Sequence, residues 1–218
     1  VVQCAGSMTY LAKEMEATYG IPFIKVSFFG VEDTKQSLLR IGEALGDPEV
    51  IDRIRHLVLA EEGEILPQLA EFRERLEGRK AAIYVGGGFK AISLIKQFAH
   101  LGVRTVMVGT QTGKADDYEI IRSLSEEGTV ILDDTNPAEL EKFIKEQGAD
   151  ILVGGVKERP LAYKLGIAFC DHNHERKHPL AGFAGAINFA REIDSTINSP
   201  VWKYVRWDEY EEPKSCQS

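Results

Sequence analysis

Three histidines, a cysteine and two acids share the ten positions of FCDHNHERKH, residues 169–178. Along an extended strand alternate side chains face the same way, so Cys170, His172 and His174 would share one face and Asp171, Asn173 and Glu175 the other. A thiolate and two imidazoles on one face are ligands for a soft or borderline metal. The same face can instead offer hydrogen bonds to a ligand, and C-x-H-x-H is not a spacing that zinc requires. Both readings stay open at this point. A second thiol, Cys4 in VVQCAGS, ends an apolar run and precedes Gly6, Ser7 and a helical pattern. A helix N-terminus stabilises a thiolate, which makes Cys4 a candidate ligand or nucleophile, with a buried structural thiol as the alternative.

Two further stretches carry chemistry. GGGFKA, residues 86–91, follows an apolar run and opens an amphipathic one, with the spacing G-x-G-x-x-A of a dinucleotide turn. Such a turn is paired with an acid about 20 residues on for the ribose hydroxyls, but the next strand end reads VGTQTG. Lys90 is not followed by the Ser or Thr of a P-loop either. Gly86, Gly87 and Gly88 then serve either a tight turn or the close approach of a bulky or anionic ligand, and the second reading sets Lys90 beside that ligand. In GGVKERP, residues 154–160, Lys157 and Arg159 stand at a helix start, where the macrodipole disfavours cations. Their placement makes sense where an anion offsets them.

The elements that position these residues follow from hydrophobic periodicity. From Lys80 onward short runs rich in valine and isoleucine (AAIYVGG, RTVMVGT, TVILDD, DILVGG, IAFCDH) alternate with stretches whose apolar residues recur every three or four positions. That order is βαβαβαβαβ, an α/β fold with a parallel sheet covered on both faces. Gly102, Gly128, Gly148 and Gly166 close the helices. In an open parallel sheet ligands bind beyond the carboxyl ends of the strands, which is where all the residues named above fall. Upstream, VVQC, a helix over 9–19, IPFIKVSFFG and a helix over 33–45 suggest a second, incomplete unit. The expected division is an incomplete Rossmann-like unit over 1–47, a charged helical connector over 48–78 that Pro67 kinks or splits, a C-terminal Rossmann-like domain over 79–207, and a frayed tail over 208–218. Opening without methionine on an apolar run, the chain reads as a piece of a longer protein.

Composition narrows the function classes. The chain has 218 residues, with 34 acidic against 26 basic ones, and no basic block that would suggest nucleic acid. No apolar run approaches the roughly 20 residues of a membrane span. Three cysteines without a CxxC pair fit a reducing compartment, and the first ten residues lack the basic start and apolar centre of a secretory signal. The expected location is the cytoplasm.

The stretches VVQCAGSMTYLAKEMEATYGIPFIKVSFFG, LEGRKAAIYVGGGFKA, ILVGGVKERPLAYKLGIAFCDHNHERKHPLAGF and INSPVWKYVRW together resemble the nitrogenase component 1 superfamily, most closely its cofactor-assembly scaffolds. The resemblance runs in family order from the first residue to about residue 207 and covers the C-terminal half of such a subunit. It implies Rossmann-like domains around a cleft that holds an iron–sulfur precursor of the iron–molybdenum cofactor while molybdenum and homocitrate enter. It makes Cys4 a metal ligand. Gly86, Gly87 and Gly88 would line the cluster, and Lys157 would lie near homocitrate. The second ligand of the catalytic relatives, a histidine, falls on Asn173, with His172 and His174 on either side. A scaffold that must release its cluster is served by that weaker attachment. The implied partners are the scaffold's N subunit, the nitrogenase Fe protein and an upstream cluster donor, and the implied role is assembly more than turnover. This piece alone, lacking much of the cleft wall, need hold no cluster. The rival readings are a catalytic component 1-type oxidoreductase subunit and a nucleotide or dinucleotide enzyme built on GGGFKA.

Overall fold

The computed structural model describes residues 7–172 and 178–204. In chain order the elements are α1 (Ser7–Tyr19), α2 (Val31–Leu45), α3 (Pro48–Leu76), β1 (Lys80–Val85), α4 (Gly88–His100), β2 (Arg104–Thr110), α5 (Ala115–Leu124), β3 (Val130–Asp133), α6 (Pro137–Gln147), β4 (Ile151–Gly154), α7 (Arg159–Lys164), β5 (Ala168–Asp171) and α8 (Gly182–Ile197). A 3-10 turn, Pro200–Lys203, follows.

The five strands form one parallel sheet in the order β3-β2-β1-β4-β5. Alternation along β1 explains why it is apolar throughout. Ala81, Ile83 and Val85 join one core with Leu76 of α3, Phe98 of α4 and Phe189 and Ile193 of α8. Ala82 and Tyr84 face the opposite core, with Leu140 and Ile144 of α6 and Ala162 of α7. A strand buried on both faces has no polar side to show. The expected α/β class, with helices on both faces of a parallel sheet, is the fold observed.

Local chemistry sets the helix ends. Asn136 accepts hydrogen bonds from the N–H groups of Ala138 and Glu139, Pro137 fills the first helical position, and Gly148 at φ 64° ends α6 by donating to Ile144 and Lys145. That left-handed conformation is costly for any residue with a Cβ. Gly102, Gly128 and Gly166 also sit at positive φ.

Pro67 does not split its helix: α3 runs for 29 residues through it. Pro67 and Gly63, whose carbonyl loses its usual donor, both lie on the exposed side of α3, where water can satisfy that carbonyl. The opposite side of α3 buries Val58, Ile65, Leu69 and Leu76. Residues 21–30 carry no strand of the main sheet. They meet the start of α8 through an antiparallel bridge between Phe29 and Ala181 and a 2.7 Å bond from the Gly182 N–H to the Phe28 carbonyl.

Candidate functional site

Strand order reverses at β1, because β2 and β3 extend the sheet to one side of it while β4 and β5 extend it to the other. Parallel pairing of Ala81 with Ile151 and of Ile83 with Val153 places the turns after β1 and β4 side by side on one edge. This is where an open α/β sheet leaves a crevice. The pairing of Gly154 with Asp171 adds the end of β5 to the same edge, and the His172 N–H donates to the Gly154 carbonyl at 3.0 Å. Gly86–Gly88, Lys157 and His172 therefore lie along a single rim.

The glycines of that rim differ in purpose. A Cβ on Gly86 would meet no heavy atom of the described residues within 4 Å. A Cβ on Gly88 would overlap Asp117 at the start of α5. Asp117 is held in place because its Oδ2 accepts from the Lys114 N–H at 3.0 Å. At Gly154 a Cβ would stand 3.1 Å from both Glu158 Cβ and the Tyr84 carbonyl oxygen. Glu158 folds back so that its Oε2 accepts from the Gly155 N–H at 2.8 Å, and one backbone donor of the β4 turn is thereby already engaged by a carboxylate.

The cations are likewise unequal. Lys90 Nζ donates to the carbonyl of His172 at 3.2 Å. Arg159 pairs with Asp171 at 3.2 Å and its guanidinium lies 5.6 Å from the centre of the Phe169 ring. Lys157, in the turn before α7, is exposed.

Cys170 and His172 share a face, as the period of two requires, and both are buried. The thiol of Cys170 lies 3.2 Å from Glu192 Oε1 on α8. The His172 ring packs between Phe29, with centroids 5.5 Å apart, and Phe189 at 6.0 Å. Among the described residues no three of His, Cys, Asp and Glu gather as a metal-binding group. Cys4, Asn173 and His174 lie outside the described residues.

Two polar networks escaped the reading of motifs. Asp33, at the start of α2, accepts from Ser93 Oγ and from Lys96 Nζ, both on α4 and both at 2.6 Å. Ser93 Oγ also lies 3.3 Å from Ser27 Oγ. The Ser27 backbone is held in turn by Ser37, which accepts from its N–H at 2.8 Å and donates to its carbonyl at 2.6 Å. The only signal in the sequence was an acid in a first helical turn, where the macrodipole welcomes it. On the rim beyond β2 and β3, the Tyr118 hydroxyl lies 2.7 Å from Thr110 Oγ1 and 2.7 Å from Asp133 Oδ1. Burial pushes the Tyr118 phenol above its ordinary pKa, and the neighbouring Asp133 carboxylate adds to the rise. Tyr84, whose hydroxyl donates to the Thr135 carbonyl at 3.0 Å, is raised chiefly by burial as well.

A glycine-rich turn at the reversal point of a parallel sheet marks a Rossmann-like architecture. Comparison with known proteins narrows the class, since residues 1–198 match the family described as nitrogenase component 1 type oxidoreductase. The chain belongs to that family. It is 72% identical over 205 residues to the nitrogenase iron-molybdenum cofactor biosynthesis protein NifE of Clostridium pasteurianum, covering 94% of this chain and 45% of that one. The NifE protein of Methanosarcina barkeri is 52% identical, over 94% of this chain and 44% of its own length. The nitrogenase molybdenum-iron protein alpha chain of Methanothermobacter marburgensis is 37% identical, over 96% of this chain and 44% of its own length. Among solved structures, one described as nitrogenase Cp1 at pH 5 superposes with a TM-score of 0.81 at 27% identity, over 94% of this chain and 48% of that one. The chain thus spans less than half the length of the curated relatives it matches. Among the described residues no helix is long and apolar enough to cross a membrane.

Proposed function

We propose that this chain is part of a scaffold on which the iron–molybdenum cofactor of nitrogenase is assembled, and that its cargo is an iron–sulfur precursor held while molybdenum and homocitrate are inserted. The observation that carries the reading is the 72% identity to a NifE protein over 94% of the chain. The geometry fits such a cargo at one point above all: none of the described residues stands within 4 Å of where a Gly86 Cβ would be, and the backbone of a glycine turn can donate N–H groups to sulfide without side-chain bulk. Lys157, exposed on the same rim, suits the carboxylates of homocitrate. In this proposal Cys4 is the thiolate ligand, Gly86, Gly87 and Gly88 form the backbone cradle, and Asn173 and His174 supply a weak second attachment. The proposed partners are the scaffold's N subunit, the nitrogenase Fe protein and an upstream cluster donor, acting in the cytoplasm.

A catalytic component 1-type subunit is the second reading, favoured by the 37% identity to a molybdenum-iron protein alpha chain. Asn173 speaks against it, since the resemblance places the fixed histidine ligand of the catalytic subunits at that position.

The test is anaerobic reconstitution of the full-length chain with its companion subunit, carrying either Cys4 or Cys4→Ala, followed by iron counting and electron paramagnetic resonance. The proposal expects the substitution to abolish the precursor signal and lower the iron count while the complex stays assembled. A precursor signal of unchanged intensity in the variant would remove Cys4 from the ligand set. A wild-type complex that binds no precursor at all would overturn the scaffold reading itself.

A further inference from the structure

We infer that Lys90 is a positioning residue: its ammonium anchors the end of β5 to the turn that carries the triple glycine, rather than facing the cargo. The purpose of the anchor rests on the scaffold reading, whereas the anchor itself rests on geometry. Lys90 is in the first turn of α4, where the macrodipole works against a cation, so a compensating acceptor is required. The carbonyl of His172, 3.2 Å from Nζ, provides one.

The contact joins elements that do not touch through the sheet. α4 follows β1, His172 follows β5, and β4 lies between those two strands. Lys90 therefore links the two flanks of the β4 turn. Among the described residues β5 pairs with β4 alone, and the Lys90 ammonium donates to the carbonyl just past its last residue. Among the described residues His172 is held at its N–H by the Gly154 carbonyl, at its carbonyl by Lys90, and at its ring by Phe29 and Phe189. Asn173 and His174 continue from a residue whose position is set relative to Gly86–Gly88.

The experiment is hydrogen–deuterium exchange on the cargo-free full-length complex, comparing wild type with Lys90→Met, Lys90→Gln and Lys90→Arg. An ionic hydrogen bond of this kind corresponds to at least about tenfold in local opening. Exchange of peptides spanning the end of β5 should therefore quicken by about that factor in the Met and Gln variants, and remain close to wild type in Arg, whose guanidinium can still donate. Peptides from α6 should not change. Unaltered exchange at β5 in the Met and Gln variants would overturn the inference. If the precursor signal were lost with exchange unaltered, the side chain would face the cargo directly. Uniformly faster exchange, α6 included, would show a global loss of stability and equally count against an anchor. None of these outcomes depends on whether Cys4 binds the cluster, so the inference and the scaffold reading fail separately.

Discussion

The carboxylate of Asp33 lies 2.6 Å from the ammonium of Lys96, joining the first turn of α2 to the middle of α4. The Asp33 side chain is only 9% exposed and that of Lys96 32%, so the acid is the partner that suffers if the pair is broken. Through Ser93 and Ser27 the same network secures residues 26–29, and with them Phe29 against His172. Removing one partner of a buried pair strands the other. Lys96→Met is expected to lower stability by about 3 kcal/mol, and Ser93→Ala by about 1 kcal/mol. Urea midpoints with unchanged slopes would check both values.

That network also marks how far the sequence could be read. The strands were legible because a run such as Ala81–Val85, buried on both faces, has to be apolar at every position. The placement of Gly86–Gly88, Lys157 and His172 on one edge followed from parallel strands alone. Alternation also grouped Cys170 with His172 correctly, but could not say which way their face points. A thiol and an imidazole suit either a cleft or a packed interior, and here both are buried. Contacts between Asp33 and Ser93, or between Lys90 and His172, join residues about 60 and 80 positions apart. No local pattern encodes such contacts, because each side chain obeys only its own helix. The continuity of α3 through Pro67 was hidden for a related reason: the penalty of a proline depends on whether the freed carbonyl faces water, which is a property of the packed helix.

Tyr118 gives the fold a dependence on alkaline pH. Burial first, and the adjacent Asp133 carboxylate second, hold its phenol above the ordinary value of 10.0. The folded state thus retains a proton that the unfolded chain releases. The contribution of this group is complete below about pH 10 and is lost as pH rises through the folded pKa. Tyr118→Phe should be less stable at neutral pH by about 1 kcal/mol, for the lost hydrogen bonds. It should also decline less steeply above pH 10, keeping the part that comes from Tyr84, which is raised as well. Urea midpoints followed from neutral to alkaline pH would show two curves converging; parallel curves would contradict the assignment.

Gly86 and Gly88 stand two residues apart in one turn, yet the same substitution should produce opposite outcomes. At Gly88 a methyl group would overlap Asp117, which is fixed by the Lys114 N–H, so α4 and α5 must separate. Overpacking of this kind lowers stability by about 1–3 kcal/mol. At Gly86 the methyl group would meet none of the described residues, and φ there is not positive, so Gly86→Ala should leave the urea midpoint within about 0.5 kcal/mol of wild type. What it should impair is the cargo, because the added carbon occupies space the proposed cluster needs. In the full-length complex Gly86→Ala is therefore expected to retain normal stability but to bind less precursor iron. Gly88→Ala should lose stability first, and lose iron only to the extent that it unfolds. Equal iron loading by wild type and Gly86→Ala would show that the open side of this glycine does not face the cargo, and the cradle would then have to be sought along the neighbouring β4 turn.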